Sequence, residues 1–289
     1  MARKLAVLVT GATGKQGGAV ARQLAQRGHR VRALTRNVAS PAAQALGAAG
    51  VELAQGNLED GGAVGRALTG MDALFSVGTP YESGTAAETR QGIIAAADAK
   101  EAGAFLVYSS VANADRRTGV PHFDSKFAVE DHIRSRGIGA AILAPAYFME
   151  NLFFGLLQLR EGVYGSPLDP TLPLVQVAVD DIAAAAVAAL ESPARYSGNR
   201  YDLGGDELSG EQLVATLAKV TGRPFAYFKV PMDAIRGALG EDGVKMYRWF
   251  ESTGYSVDRA ALRRGFPNVP WRSFEAWARE QDWNALLSR

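Results

Sequence analysis

The sequence contains no cysteine and only three histidines. Without cysteine, disulfide bonds, thiolate nucleophiles and cysteine-ligated zinc are excluded. The histidines, His29, His122 and His132, do not have the spacing of a metal-binding motif. We therefore expect no metal site, and the lack of cysteine is compatible with a cytoplasmic protein.

Long apolar runs and an excess of one charge are also missing. No stretch approaches the roughly 18–20 apolar residues that a membrane-spanning helix requires. The first apolar run, Leu5–Thr10, leads directly into a glycine-rich loop, which predicts a strand and not a signal peptide. The net charge of +1 gives no general attraction to nucleic acid. We therefore expect neither a membrane nor a nucleic acid as a partner, and the oligomeric state stays open.

The first half of the chain alternates apolar, β-branched runs with segments of helical periodicity. Strands are predicted at Leu5–Thr10, His29–Arg36, Val51–Ala54, Ala73–Val77, Phe105–Ser109 and Ala140–Leu143. Helices are predicted at Gly18–Arg27, Asp60–Leu68, Ala86–Glu101 and Asp124–Arg136, the last with Asp124 as its N-cap. This alternation is typical of the α/β class, and it predicts a Rossmann-like, doubly wound parallel sheet with helices on both faces.

The alternation becomes irregular after about residue 150. A helix at Asp181–Glu191, capped by Asp180 or Asp181, and a helix opened by the capping box Ser209–Gln212 are predicted there. We expect a first domain over residues 1–150, with a returning segment near 174–205. A smaller, mostly helical C-terminal domain is expected over residues 151–289.

A glycine-rich turn, Gly11-Ala-Thr-Gly14-Lys-Gln-Gly17, follows the first strand and opens the first helix. Glycines let the backbone approach a pyrophosphate, and the free N–H groups of a helix N-terminus bind its oxygens. The spacing is one residue longer than the usual dinucleotide fingerprint. An ordinary strand-to-helix turn is the alternative, but the position within a strand–helix–strand unit favours a dinucleotide site.

Cations occupy the positions where an NAD-binding site would have an acid. The second strand ends at Arg36, where an aspartate or glutamate would bind the ribose 2′-hydroxyl of NAD, and Lys15 lies within the loop. A charge-assisted hydrogen bond to a 2′-phosphate contributes roughly 1.5–3 kcal/mol. That corresponds to roughly a 10- to 100-fold preference for NADPH over NADH. The alternative for Arg36 is a solvated residue at a strand end.

These motifs resemble those of the NmrA-like group of atypical short-chain dehydrogenases/reductases. The shared segments are Gly11–Gly17, Leu34-Thr-Arg36, Gln55-Gly-Asn57-Leu58, His122-Phe-Asp-Ser-Lys126 and Ala144-Pro-Ala-Tyr147-Phe-Met-Glu-Asn151. The likeness spans the chain, is specific up to residue 151 and is loose beyond it. It implies an NADP(H)-binding Rossmann domain followed by a small substrate domain.

The resemblance also implies roles for the matched positions. The pyrophosphate would be held by Thr13, Gly14, Gln16 and Gly17, and the 2′-phosphate by Arg36. Gly11 and Lys15 of the same turn are also expected to bind the cofactor. Asn57 and Leu58 would border the adenine, and Val77, Gly78 and Thr79 would line the cofactor ribose. Lys126 would bind the nicotinamide ribose, Tyr147 and Phe148 would flank the nicotinamide, and Asn151 would lie near the substrate.

The usual proton donor of the larger class is missing. That class has a tyrosine four residues before the lysine, where this sequence has His122 before Lys126. His122 follows Pro121 in a predicted loop, and is either a proton donor or a structural residue. Tyr147 is another candidate donor, or a packing residue. Ser109 and Ser110 end the fifth strand and either bind substrate or only end the strand.

Two functions stay open at this point. The first is an NADPH-dependent reductase of quinones or related unsaturated or aromatic carbonyl compounds, with Lys126, Tyr147 and His122 as catalytic candidates. Quinones suit the site because water can protonate a hydroquinone anion, so no protein acid is required. The second is a non-catalytic NADP(H)-sensing regulator. The expected partner is accordingly a small-molecule substrate or a regulated protein, and the fold does not decide between them.

Overall fold

The computed structural model describes residues 3–60 and 62–288. Its strands are, in chain order, β1 (Ala6–Val9), β2 (Arg30–Thr35), β3 (Glu52–Gln55), β4 (Ala73–Ser76), β5 (Phe105–Ser109), β6 (Ala140–Pro145), β7 (Tyr147–Phe148), β8 (Val163–Ser166), β9 (Leu174–Val177), β10 (Arg200–Leu203), β11 (Asp206–Leu208) and β12 (Ala226–Lys229).

The α-helices are α1 (Lys15–Gln26), α2 (Pro41–Ala48), α3 (Ala63–Leu68), α4 (Gly84–Glu101), α5 (Pro121–Ser135), α6 (Leu156–Arg160), α7 (Val179–Glu191), α8 (Pro193–Tyr196), α9 (Gly210–Thr221), α10 (Met232–Ser252), α11 (Arg259–Gly265), α12 (Phe274–Arg279) and α13 (Trp283–Leu287). Two further segments, Ala114–Arg116 and Met149–Gly155, are 3-10 helices.

The chain divides into two compact units. Unit 1 contains the residues up to Arg117 together with Pro121–Ala144 and Ile182–Tyr201. Unit 2 contains Thr118–Val120, Pro145–Asp181 and the residues from Asp202 onward. The backbone therefore passes more than once between the two units.

A seven-stranded parallel sheet with the order β10-β6-β5-β4-β1-β2-β3 organises unit 1. The strand order reverses between β1 and β4, which both pair in parallel with their neighbours. This is the Rossmann-like arrangement that the alternating sequence pattern predicts, so the predicted fold class is confirmed. Ligands of such sheets bind beyond the carboxyl ends of the strands, where the order reverses.

The core of unit 1 forms because its strands are apolar on both faces. All four residues of β4 and all six of β6 are buried. Around the sheet, Val64 and Leu68 of α3, Ala95 and Ala99 of α4, and Val129 and Ile133 of α5 join one hydrophobic cluster. Apolar spacings of three and four residues give each of these helices one buried face.

Unit 2 has a largely helical core with two small sheets. One sheet has the order β11-β9-β7, and the other pairs β12 with β8. Its hydrophobic cluster is rich in aromatic and leucine side chains, among them Leu213, Phe274, Trp277 and Trp283. The helical character of the C-terminal region agrees with the sequence prediction, whereas the short strands β7, β8, β9, β11 and β12 are not apparent from the sequence pattern.

Two acidic side chains of unit 2 accept hydrogen bonds from backbone N–H groups that are distant in the chain. Glu150 accepts hydrogen bonds from the backbone N–H of Val179 and the indole N–H of Trp277, at 3.1 and 3.0 Å. Burial raises the pKa of Glu150 above its ordinary value, an effect that these hydrogen bonds oppose. Asp181 is fully buried and accepts from the backbone N–H of Arg272 at 2.6 Å.

Two predicted helix starts are wrong. α5 begins at Pro121, so His122 lies in its first turn and not in a loop, and Asp124 is inside the helix instead of at its N-cap. Proline is well suited to the first helical position, because its missing N–H would have no partner there. α7 begins at Val179, so Asp180 and Asp181 both lie in its first turn. Acids in the first turn interact favourably with the helix dipole.

Close packing of α4 on α5 depends on Gly92. A Cβ atom at this position would lie 2.6 Å from Cγ2 of Val129. We expect Gly92→Val to lower the free energy of unfolding by about 1–3 kcal/mol, because an overpacked helix interface must shift. Urea unfolding followed by circular dichroism measures this change.

Ala97→Val is the matched control, since Ala97 lies on the exposed face of the same helix. Its expected cost is about 0.5 kcal/mol. Equal losses for both variants would show that the contact between Gly92 and Val129 does not limit the packing of α5.

Candidate functional site

The glycine-rich turn connects β1 to α1 at the carboxyl edge of the sheet. Gly11 adopts a φ of 58°, a left-handed conformation that favours glycine. A Cβ atom on Gly17 would lie 2.7 Å from the carbonyl oxygen of Thr10 and closer still to that of Gly11. Both positions therefore need glycine for steric reasons. Thr13, Gly14 and Lys15 are exposed along the turn, so the loop is accessible from solvent.

The N-terminus of α1 carries no internal cap. Its N-cap residue is Gly14, no side chain caps the first turn and no acidic residue occupies it. The N-terminal amides and the positive end of the helix dipole therefore face the outside of the turn, where they favour an anion. A serine or aspartate at this position would have competed for the same amides.

Hydrogen bonds connect this turn to the neighbouring strand ends. The hydroxyl of Thr10 accepts from the N–H of Val77 at 3.0 Å and donates to the carbonyl oxygen of Val77 at 3.3 Å. The hydroxyl of Ser109 donates to the side-chain oxygen of Gln16 at 2.7 Å. The loops after β1, β4 and β5 thus form one continuous edge. Ser109 therefore supports the glycine-rich turn, a contact that sequence reasoning did not assign.

Arg36 directly follows β2, as the sequence predicts. Its side chain is exposed. Its guanidinium donates to Glu82 at 2.9 Å. Asn57 is also exposed, and its side chain accepts from the N–H of Glu59 at 3.1 Å and so supports the local turn. Leu58 packs against the core cluster of unit 1. Thr79 is exposed and Val77 and Gly78 are half-buried in the loop that follows β4.

Lys126 is buried, and its ammonium is held at the end of β4. The Nζ atom donates to the carbonyl oxygen of Gly78 at 3.2 Å. It also lies 2.8 Å from Oε1 of Glu88, a residue of α4 that is 1% exposed. The side chain is therefore not a solvated helix lysine. Its orientation toward the loop after β4 agrees with the predicted contact to a cofactor ribose, which stays a prediction.

His122 and Ser110 lie deeper in unit 1. His122 is buried, and its ring makes an edge-to-face contact with Phe123 at a centroid distance of 4.7 Å. Ser110 is buried as well, and its hydroxyl donates to the fully buried Glu130. Glu130 also accepts from Arg134 at 2.8 Å and Arg200 at 2.9 Å. These contacts favour structural roles for both predicted residues.

The remaining predicted residues, Tyr147, Phe148 and Asn151, belong to unit 2. The Tyr147 hydroxyl lies 3.3 Å from that of Tyr247. Burial raises the pKa of Tyr147, and hydrogen bonds to Tyr247 and Asn151 partly oppose the shift. Tyr147 is therefore protonated at neutral pH and is a weak acid.

Tyr147 also borders a narrow cavity within unit 2. The lining combines phenol, amide and leucine side chains, namely Tyr147, Tyr164, Leu168, Gln176, Tyr227 and Tyr247 among others. Burial raises the pKa of Tyr164 further, so this cavity is lined by neutral groups at physiological pH. A neutral, partly aromatic lining is suited to uncharged organic molecules.

Sequence reasoning missed three acids: Glu82, Glu88 and Glu130. The local sequence around each acid does not by itself distinguish a buried carboxylate from a solvated one. Their partners, Arg36, Lys126 and Arg200, are 46, 38 and 70 residues away in the chain. One weak signal exists for Glu88, because it shares a helical face with the buried Gly92 and Ala95.

The described residues provide neither a metal site nor a membrane-spanning helix. Within residues 3–60 and 62–288, no group of three or more histidine, aspartate or glutamate side chains is arranged to hold a metal ion. Among the helices of the same residues, none has the length and apolar character needed to cross a membrane.

Comparison with known sequences identifies relatives over most of the chain. A model of the NmrA-like family matches residues 3–274. The chain is 32% identical over 235 residues to a (4-alkanoyl-5-oxo-2,5-dihydrofuran-3-yl)methyl phosphate reductase of Streptomyces griseus, covering 81% of this chain and 80% of the relative. It is also 32% identical over 244 residues to quinone oxidoreductase 2 of Escherichia coli, covering 82% of each chain.

Solved structures show the same architecture. The negative transcriptional regulator NmrA, crystallised in complex with NADP, superposes with a TM-score of 0.76 at 25% identity, covering 96% of this chain and 95% of that one. An NADPH-dependent quinone oxidoreductase of Escherichia coli, complexed with NADPH, superposes with a TM-score of 0.78 at 25% identity, covering 94% and 98%. The structural neighbours thus include both an enzyme and a regulator, each with a bound nicotinamide cofactor.

The glycine turn generates a stability prediction. We expect Gly17→Ala to lower the free energy of unfolding by about 1–3 kcal/mol, because the added Cβ would collide with backbone carbonyl oxygens that cannot rotate away. Thermal unfolding of the isolated protein, followed by circular dichroism, is the measurement.

Gly14→Ala is the matched control within the same turn. Its Cβ would lie 3.3 Å from the nearest atom, the carbonyl oxygen of Gly11, and Gly14 has a φ of −92°. We expect Gly14→Ala to lower the free energy of unfolding only slightly. If Gly17→Ala unfolds at the same temperature as Gly14→Ala, the tight approach of the turn to α1 is not a constraint.

Proposed function

Because this chain belongs to the NmrA-like family, we propose that it is an NADPH-dependent oxidoreductase that reduces quinones or related unsaturated or aromatic carbonyl compounds. The observation that carries the proposal is the position of Lys126, which is buried and bonded to Gly78 in the same unit as the glycine turn. The ammonium of Lys126 thus lies at the loop after β4, in the region where ligands of such sheets bind. The names of two relatives, both reductases, support the same reading.

The residues present fit a dinucleotide. The turn is exposed at Gly11 and Gly14, and the uncapped start of α1 offers amides to a pyrophosphate. Arg36 provides a cation for a 2′-phosphate at the end of β2. In the proposal, residues 11–17 hold the pyrophosphate and Lys126 binds the nicotinamide ribose. Asn57, Leu58 and the loop 77–79 border the adenosine and the ribose.

When bound, the cofactor supplies a hydride to the substrate. The contribution of the protein in this proposal is orientation and binding. Lys126 positions the ribose through a charge-assisted hydrogen bond, and the protonated Tyr147 phenol is available as a hydrogen-bond donor within unit 2. His122 is buried against Phe123 and is less suited to proton delivery than a residue of an open cleft. A quinone suits this arrangement, since water protonates the product.

The contact between Arg36 and Glu82 modulates the preference for NADPH in this proposal. Both side chains are exposed, so the ion pair itself is weak. A 2′-phosphate brings roughly two negative charges and several acceptor oxygens, and it competes favourably with one carboxylate. Glu82 therefore reduces the free energy that Arg36 contributes to NADPH binding, but does not abolish it.

A second candidate function is an NADP(H)-sensing regulator that binds another protein. One observation favours it: Phe154 and Leu157 are 80% and 71% exposed and lie three residues apart on consecutive helical turns of unit 2. Large apolar side chains exposed together are typical of interaction surfaces. The regulator NmrA among the structural neighbours is consistent with this alternative.

The cofactor preference can be tested with two opposite substitutions. We expect Arg36→Ala to weaken NADPH binding by roughly 10- to 100-fold and to leave NADH binding nearly unchanged, because only NADPH has a 2′-phosphate. Glu82→Gln removes the competing carboxylate and is expected to strengthen NADPH binding by up to about fivefold. Isothermal titration calorimetry with both cofactors gives the dissociation constants.

The NADH titration serves as the internal control for both variants. Equal losses of NADH and NADPH affinity in Arg36→Ala would show that Arg36 supports the fold of the loop and does not bind the 2′-phosphate.

Turnover decides between the two candidate functions. We expect wild-type protein to oxidise NADPH in the presence of quinones, followed by absorbance of the reduced cofactor, while Lys126→Ala loses at least tenfold in kcat/KM. The loss follows from removal of a charge-assisted hydrogen bond that contributes roughly 1.5–3 kcal/mol.

Lys100→Ala is a matched control, because Lys100 is an exposed lysine of α4. It should retain wild-type turnover. Tight NADPH binding without turnover across a panel of quinones would contradict the reductase and favour the regulator.

A further inference from the structure

Glu88 is a charged side chain buried where α4, α5 and the loop after β4 meet. It is 1% exposed. Its Oε2 atom accepts a hydrogen bond from the hydroxyl of Ser125 at 2.6 Å. Its Oε1 atom lies 2.8 Å from Nζ of Lys126, at an angle that makes no hydrogen bond, and receives no hydrogen bond from another group. A buried carboxylate is costly unless a counter-charge compensates it, and the ammonium of Lys126 is placed to do so.

Glu88 packs against the same loop after β4 that the Lys126 ammonium contacts. The Cγ atom of Glu88 packs 3.3 Å from the position that a Cβ of Gly78 would take, directly beside the carbonyl oxygen that Lys126 contacts. The ammonium therefore lies between the carboxylate and the end of β4. An ammonium has three donors, and the structure accounts for one hydrogen bond and one ion pair. At least one donor is left for a further partner.

We propose that Glu88 is a positioning residue, which holds the Lys126 ammonium at the end of β4 and keeps it charged for a hydroxyl of the cofactor ribose. This inference rests on the proposed function, in which Lys126 contacts the cofactor. It also narrows the substrate class. A lysine whose positive charge is balanced by a buried carboxylate lowers the pKa of a neighbouring phenol or imidazole only weakly. Acceptors that need no protein acid, such as quinones, therefore suit the site.

The other titratable groups near Lys126 do not replace Glu88. Tyr108 of β5 is buried; burial, and then the charges of Glu88 and Glu130, raise its pKa well above its ordinary value, so it is neutral. On α5 itself, Glu130 is already paired with Arg134 and Arg200. His122 lies one helical turn before Lys126 and contributes no negative charge. The carboxylate that compensates the buried ammonium is therefore that of Glu88.

Removing this carboxylate creates a distinctive pH dependence. In Glu88→Gln the ammonium of Lys126 is buried without a counter-charge, so desolvation lowers its pKa in the folded protein below the unfolded value of roughly 10.4. The folded state then prefers the neutral amine. The resulting loss of stability is fully present below the folded pKa and disappears as the pH rises toward the unfolded pKa.

The first measurement is the folding equilibrium of the unliganded protein by urea unfolding between pH 7 and pH 10. Glu88→Gln should have a lower folding equilibrium constant than wild type at pH 7. We expect this difference in the folding equilibrium constant to decrease by up to about tenfold for each pH unit toward pH 10. Ser125→Ala is the control, because it removes a hydrogen bond of Glu88 and keeps both charges. Its deficit should not change over this range. His122 is present in every variant, so it does not distinguish them.

The second measurement is the NADPH dissociation constant over the same pH range, by calorimetry. In Glu88→Gln we expect affinity to fall progressively with pH, by about 10- to 100-fold in total, as Lys126 loses its proton. The pH profiles of wild type and of Ser125→Ala should not show this additional fall.

The outcomes separate the inference from the function on which it rests. A stability deficit of Glu88→Gln that is constant with pH overturns the charge pairing. A pH-dependent deficit with an NADPH profile like that of wild type overturns the positioning role alone. If wild type does not bind NADPH, the proposed function fails, and the cofactor role of Glu88 fails with it.

Glu88→Asp covers the case in which Glu88→Gln does not fold. Aspartate keeps the charge but withdraws it by one methylene. We expect a pH profile of NADPH binding like that of wild type, with an affinity several-fold weaker because the ammonium is displaced. Unchanged affinity at every pH would overturn the positioning role.

Discussion

The parallel pairing of β1 with β4 is the contact on which the candidate site in unit 1 depends. It brings the loops that follow these two strands side by side, and Thr10 bonds one loop to the other at Val77. The glycine turn then has α1 behind it and the β4 loop beside it, while Ser109 reaches Gln16 from the next strand. Residues far apart in the chain thereby line one edge of one sheet, as the reversal of strand order in this fold requires.

Two ion pairs at this edge differ in burial, and the difference sets what each can do. Arg36 and Glu82 are exposed, so water screens their attraction and a phosphate can displace the carboxylate. Lys126 and Glu88 are buried, so neither charge is easily left alone. The first pair is therefore an exchangeable contact, whereas the second is a fixed part of the architecture. In the proposed function, affinity for the 2′-phosphate and orientation of the cofactor ribose would therefore depend on two different kinds of electrostatic contact.

Membership in the NmrA-like family leaves the function to be argued from side chains. The solved neighbours include a transcriptional regulator and a quinone oxidoreductase with nearly equal TM-scores, because both functions use the same framework. In this chain, the lysine is retained and compensated by a buried acid, while the usual tyrosine is replaced by the buried His122. In the proposed function, this combination provides a lysine for the cofactor and lacks the usual proton donor. It is better matched to hydride transfer to an easily reduced acceptor than to acid-assisted carbonyl reduction.

The sequence by itself determined strands β1–β6, the glycine turn and the cation at the end of β2, since local periodicity and glycine spacing carry these features. It did not indicate the helix Pro41–Ala48. It misplaced the start of α5, because Pro121 opens the helix while Asp124 imitates a cap. It did not reveal the short strands of unit 2, which are only two to four residues long and take their pairing from distant segments. Only the tertiary structure decided that Glu88 faces Lys126 and that Glu130 binds Ser110. Burial sets the free-energy cost of a charged side chain, and a partner group compensates that cost. Both burial and partner are properties of the folded chain.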